Sequence, residues 1–206
     1  MGQSSNQPSH PSLAPARAWP AFPKDRFDQV RAGDPEALGE FFDHYFPRIF
    51  ATVHRLVGQR AIAEDVTQDV FLRLQRTIRR VDGSRDLAPW LFTVCVNACR
   101  DHWRSRWWRM AKQSVSISDH AIASSLLSHE PDPIESVLVQ ERKSRVNAAL
   151  QRLPDALREA VVLHDCDGLG HAQIASIAGI SHAAARKRHS RALRILADLL
   201  REKVGT

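Results

Sequence analysis

The sequence predicts an all-α protein: two small helical domains joined by a flexible linker, the second carrying a helix-turn-helix. Apolar residues recur at spacings of three and four along much of the chain, and strand-like alternation is weak. Helix starts are marked by Asp34 then Pro35, by Asp132 then Pro133 with Glu135 completing a capping-box pattern, and by Leu153 then Pro154. Between two basic halves, residues 113–132 (QSVSISDHAIASSLLSHEPD) hold three acidic residues, several serines and no Lys or Arg, the composition of a linker.

At 206 residues and 43% hydrophobic, the chain has enough apolar side chain to build such cores. Residues 1–23, rich in Ser, Pro, Ala and Gln, have little to bury and read as a flexible extension. The 29 Lys and Arg against 23 Asp and Glu give a net charge of +6, which favours a polyanionic partner such as nucleic acid. Three cysteines (Cys95, Cys99 and Cys166) suggest no disulfide framework, so a reducing cytoplasm is the expected compartment. No apolar run approaches the roughly 18 residues of a membrane span, and the first residues lack the basic start and apolar centre of a secretion signal. Membrane insertion is therefore not expected.

The first domain is expected over 24–112. Ala63, Val66, Val70, Leu74 and Ile78 form an apolar stripe on a helix from about 60 to 78. Opposite lie Ala61, Asp65, Gln68 and Leu72, where a leucine flanked by acid and amide suggests docking, although single exposed leucines are ordinary. The next helix starts near 89 and turns Leu91, Val94, Cys95, Ala98, Cys99 and His102 inward. Its other side carries Trp90, Thr93, Asn97, Arg100, Arg104 and Trp108. Arginine binds phosphate, asparagine reads base edges and indole stacks on unpaired bases, so this face has the chemistry of a single-strand platform. Tryptophans from Trp103 to Trp108, interleaved with Arg104, Arg106 and Arg109, favour that reading over a solvated basic helix.

The second domain is expected over 133–206. Ile174, Ala175 and Ile177 fill a short helix, Gly179 makes the turn, and Ser181 caps the helix that follows. There Ala185, His189, Ala192, Leu193, Leu196, Leu199 and Leu200 face inward while Lys187, Arg191 and Arg194 face out. A plain helical hairpin has no need of Arg186, Lys187, Arg188 and Arg191 clustered there, whereas a helix entering a DNA major groove does.

Together these stretches resemble the extracytoplasmic-function sigma factors of bacterial RNA polymerase. The resemblance rests on AEDVTQDVFLRL at 63–74 and PWLFTVCVNACRDHWR at 89–104, then on ALQRLPDALREAVVLHDCDGLGHAQIASIAGIS at 149–181 and ARKRHSRALRIL at 185–196. It implies that Asp65, Gln68, Asp69 and Leu72 grip the clamp helices of the polymerase's largest subunit. It implies further that the loop from about Arg79 to Ala88, with Asn97, Arg100 and Arg104, reads the melted minus-ten element. Arg186, Lys187, Ser190 and Arg191 would contact the minus-thirty-five element, and the linker would thread toward the RNA exit path. Core RNA polymerase and promoter DNA are the implied partners, and the resemblance allows an anti-sigma factor without requiring one. Gln173 stands where the family usually has Glu, Ala184 and Ala185 stand where it has a Thr-Val pair, and Lys187 replaces a small or polar residue, which points to altered promoter preference.

Other classes fit less well. No nucleophile, carboxylate pair or phosphate-cradling loop has a supporting context, so no catalysis and no cofactor are expected. Cys95, Cys99 and His102 share a helix face, and His164, Cys166 and His171 form a loose second cluster. Zinc usually takes four ligands and neither set supplies them, so buried cysteines and a satisfied histidine are the expected outcome. A polymerase-independent helix-turn-helix regulator usually dimerises, and no dimer helix or ligand pocket is evident.

Overall fold

The computed structural model describes the backbone of residues 21–83, 86–113 and 133–201, with the side chains of all but 107–113 and 133–140. Most of the expected extension, the 113–132 linker beyond its first residue, the Asp132–Glu135 capping box and the side chains of Trp107, Trp108 and Arg109 lie outside the described residues. Eight α-helices follow in order among those described: α1 Lys24–Ala32, α2 Pro35–Val57, α3 Arg60–Thr77, α4 Ala88–Gln113, α5 Pro133–Gln151, α6 Asp155–Val161, α7 His171–Ala178 and α8 His182–Arg201. No strand occurs among them. None of the described helices is long and apolar enough to cross a membrane.

Local chemistry sets the boundaries. Asp34 accepts the backbone N–H of Ala37 at 2.8 Å, and Pro35 at the first helical position loses no helix bond, so α2 starts there. It ends at Gly58, whose φ of 85° is left-handed. A side chain at Gly58 would also collide with Gln151, so both backbone and packing require glycine. The α3 stripe is buried as its period predicts, with Ala63, Val70 and Leu74 fully enclosed and Ile78 in the 3₁₀ turn that follows. In α7 the Gln173 side chain accepts the Gly170 N–H at 2.9 Å, so glutamine serves as the capping partner at the start of the helix. The chain then turns through Gly179 (φ 64°), and Ser181 accepts the Ala184 N–H at 3.2 Å to start α8.

The two halves also pack on each other: the inner faces of α2 and α4 meet α5, α6 and α7 in one continuous apolar cluster. For that reason α4 buries more than one stripe. Phe92 and Val96 are enclosed with Leu91, Cys95 and Cys99, while Val94 and His102 are only half-buried.

Polar groups pin this junction. Arg158, 7% exposed, donates to the carbonyls of Leu150, Gln151 and Leu153 at the end of α5 and to that of Leu56 in α2, at 2.6–3.1 Å. It thereby joins carbonyls at the ends of two helices, of which that of Leu150 also accepts the Leu153 N–H at 3.0 Å. Gln151 donates to the Arg55 carbonyl at 2.9 Å. Thr52 donates its hydroxyl to the buried Asp167 carboxylate at 3.0–3.1 Å, with Arg48 4.0 Å away.

Burial pushes the Asp167 carboxyl up to about 6 from an ordinary 3.8, against the pull of Arg55, the Thr52 hydroxyl and Arg48. The folded chain therefore holds this proton more tightly than the unfolded chain. The associated stability is present below about pH 4 and is lost as pH rises through about 6. Asp167→Asn keeps an acceptor for Thr52 but cannot ionise, so relative to the parent it should gain about 1–3 kcal/mol between those limits. Urea midpoints measured across the range should diverge, and parallel profiles would show that Asp167 does not titrate on folding.

Candidate nucleic-acid interface

On α3, the residues turned away from the stripe are open. Asp65 and Gln68 are exposed, and Leu72, at 52%, is one of two large hydrophobic side chains left exposed among the described residues. The other is Phe46 on α2, at 48%. Its ring stacks on Phe71 at 6.0 Å with planes 16° apart, so exposed apolar surface on α2 adjoins the α3 segment that carries Gln68 and Leu72. Sequence reading passed over Phe46, yet Phe42, Phe46 and Phe50 repeat every four residues on the side of α2 away from Phe41, Tyr45 and Ile49. Asp69 is partly occupied: Arg73 bridges it at 2.7 Å and Asp101 of α4 at 2.8 Å, joining the two helices. These residues border a surface cleft of about 250 Å³ between α3 and α4.

The α4 face is less open than its periodicity suggests. Asn97 and Arg104 are exposed, with Arg104 3.3 Å from Asp101. Arg100 instead turns toward the second half of the chain. Its guanidinium forms a two-point pair with the buried Glu159 carboxylate, at 3.0 and 2.6 Å, and donates to the Ile177 carbonyl at 3.3 Å. In this arrangement Arg100 is a junction residue rather than an open phosphate contact. Trp90 and Thr93 are half-buried, and the Thr93 hydroxyl donates to the Pro89 carbonyl at 2.7 Å. Trp103 is half-buried with the Arg158 guanidinium 5.9 Å from its ring centroid, a cation–π contact that holds it away from an incoming base. The loop between α3 and α4 is described except for Ser84 and Arg85, and Arg79 and Arg80 are exposed within it.

The α8 surface matches expectation. Ala185, Ala192 and Leu196 are buried, which leaves Arg186, Lys187, Ser190, Arg191 and Arg194 exposed along the outer face. The cations therefore line the side of the second helix that the turn at Gly179 sets outward, the geometry a major groove accepts.

The cysteine and histidine clusters are redrawn. Cys95 and Cys99 are fully enclosed, and burial pushes the Cys99 thiol to about 12 and the Cys95 thiol well above its usual range. Cys166 does not join His164 and His171. The residue that does is His189 of α8, whose part in the cluster the sequence reading missed, since it lies 18 positions beyond His171 and was read simply as an inward core residue.

Matches to known proteins agree with this geometry. The family model for Sigma-70 region 2 matches residues 41–109, spanning most of α2 through α4, and that for Sigma-70 region 4 matches 143–196, covering the helix-turn-helix. These two segments, in this order, define the class as the sigma factors of RNA polymerase. The sigma factor CarQ of Myxococcus xanthus is 33% identical over 175 residues, covering 85% of this chain and 95% of CarQ. The extracytoplasmic-function sigma factor BldN of Streptomyces coelicolor is 31% identical over 84% of this chain, which spans 64% of BldN. The chain belongs to the extracytoplasmic-function sigma factors of RNA polymerase. Two solved structures share its fold: CnrH in complex with the cytosolic domain of CnrY (TM-score 0.60, 21% identity, 87% of this chain and 97% of that one), and RpoE with the anti-sigma factor NepR from Bartonella quintana (0.64, 23%, 79% and 96%).

Proposed function

We propose that the chain binds core RNA polymerase and directs it to promoter DNA, which it recognises as duplex upstream and as separated strands at the start site. The observation that carries this reading is the ordered pair of sigma-70 segments, each bearing the surface its role needs. An exposed acid-and-leucine ridge lies on the first and exposed cations lie on the second. A polymerase-independent regulator would need only the second.

Residues 24–112 serve polymerase docking and minus-ten recognition, 113–132 link, and 133–206 read the minus-thirty-five element. Asp65, Gln68, Asp69 and Leu72, extended by Phe46, form the polymerase-facing surface. Asn97 and Arg104 meet the separated strand at once, and Arg100 joins them after the Glu159 pair opens. Arg186, Lys187, Ser190 and Arg191 contact duplex DNA. The chain acts in the cytoplasm by binding and strand separation and leaves the chemistry to the polymerase. Both solved relatives are bound to another protein, and one of those partners is named an anti-sigma factor, which supports an anti-sigma factor as a third partner.

Asp65→Lys combined with Leu72→Ala tests the docking surface. Both residues are exposed, so helicity by circular dichroism should not change. Affinity for core polymerase should fall by roughly tenfold or more, as expected when a charged contact and an apolar anchor are lost together. A pull-down titration giving equal affinity for parent and double variant would remove docking from this face.

A further inference from the structure

We propose that His164, His171 and His189 form a binding site for a divalent transition-metal ion of the zinc type, which staples the helix-turn-helix from behind. This goes beyond the sigma-factor reading and reverses the expectation that no metal is bound.

The three residues come from three separate segments of the second half of the chain. His164 lies in a π-helical turn (Val162–Cys166) that prolongs α6, His171 opens α7, and His189 sits on the inward face of α8. One ligand nitrogen from each lies within 4.8 Å of the other two. Their rings crowd together, with the His164 centroid 4.4 Å from that of His171 and 4.1 Å from that of His189.

Hydrogen bonds decide which nitrogens are available. Asp165 accepts from His164 Nδ1 at 3.0 Å and from His189 Nε2 at 2.8 Å. One carboxylate thus orients two imidazoles through the nitrogens an ion would not use, the arrangement that fixes tautomer and raises ligand basicity in carboxylate–histidine–zinc sites. It leaves His164 Nε2 and His189 Nδ1 as donors, and His189 Nδ1 already faces His171 Nε2 at 3.2 Å. Donors about 2.0–2.1 Å from zinc in a tetrahedron lie roughly 3.3 Å apart, so this pair already has the required spacing. One nitrogen of each ring lies within 4.8 Å of one nitrogen of each of the others, so side-chain rotation that moves donors by about 1.5 Å closes the set to tetrahedral spacing. Three imidazoles complete three positions, and the half-exposed edge at His164 and His171 leaves the fourth to solvent.

Nitrogen donors with a carboxylate behind them favour zinc, cobalt or nickel over magnesium or calcium, which take oxygen ligands. Because the ligands sit on three separate segments, binding selects the folded arrangement and stabilises it by mass action. It also fixes the back of the helix whose outer face carries Arg186, Lys187 and Arg191.

The test uses untagged full-length protein, freed of metal, titrated with cobalt(II) chloride and separately with zinc chloride. Cobalt should produce the visible absorption of a tetrahedral nitrogen site at one ion per chain, zinc should displace it, and zinc should raise the melting temperature. His171→Gln, at a half-exposed position that should leave the fold intact by circular dichroism, should weaken binding by more than ~10-fold, because loss of even an outer-shell partner costs 10–100-fold. Cys166→Ser should keep the spectrum. The proposal is overturned if the parent gives no tetrahedral spectrum, if His171→Gln binds as the parent does, or if Cys166→Ser abolishes binding.

Discussion

Replacing Arg158 with Met should lower folding stability by about 3 kcal/mol, since each buried carbonyl left unsatisfied costs about 1–3 kcal/mol while the desolvation of the guanidinium is regained. Four carbonyls, those of Leu56, Leu150, Gln151 and Leu153, accept from this one guanidinium, three of them in buried bonds and that of Gln151 in a partly buried one. Methionine matches much of the volume but donates nothing, so the carbonyls of Leu56, Gln151 and Leu153 lose this donor while that of Leu150 keeps only the Leu153 N–H. Lysine should rescue only part of the loss, since a single ammonium cannot serve acceptors on two helices as a planar fork does. Urea unfolding followed by circular dichroism measures this directly. A loss below about 1 kcal/mol would mean that the junction between α2 and α5 opens at little cost.

The second large effect is expected on DNA. Arg191 is exposed on α8 behind the helix start, and its Ala variant should bind a minus-thirty-five duplex less well in the polymerase complex by about 1–3 kcal/mol, or roughly 5–150-fold, if it makes a two-point contact to a base. A base contact predicts that the loss depends on the sequence at one position. A phosphate contact predicts a smaller loss, uniform across sequences, with a shallower salt dependence. Footprinting with variants of the upstream element separates these outcomes, and unchanged protection would take Arg191 out of the interface. Because its side chain faces solvent, the substitution should leave folding within about 0.5 kcal/mol of the parent.

The features legible in the sequence are the local ones. The α3 stripe and the inward face of α8 follow from side chains three and four positions apart, so Val70, Leu74, Ala185 and Ala192 are buried where the period puts them. The Asp34 cap and the Gly179 turn were legible for the same reason. Periodicity gives the direction of a side chain but not what covers it. Arg100 was correctly placed off the α4 stripe, yet Glu159, 59 positions later, meets it there. Thr52 and Asp167 are separated by 115 positions, and nothing in either neighbourhood announces the other. The histidine site failed similarly: His164 and His171 are close in sequence, but the third donor arrives only when α8 folds back. Phe46 escaped because a phenylalanine among phenylalanines reads as core by composition, although its spacing with Phe42 and Phe50 sets it off the buried line of Phe41, Tyr45 and Ile49.

The central claim is that this chain confers promoter selection on a polymerase that lacks it. The most direct measurement is transcription of a genomic fragment library by core RNA polymerase with and without the purified chain, followed by permanganate probing of thymines on the fragments that respond. The account predicts new transcripts from a defined subset of fragments, with reactive thymines near each start only when chain and polymerase are both present. It also predicts weaker reactivity with Asn97→Ala, whose side chain is exposed on α4. Transcripts identical with and without the chain, or upstream duplex binding of equal strength in the absence of polymerase, would contradict it.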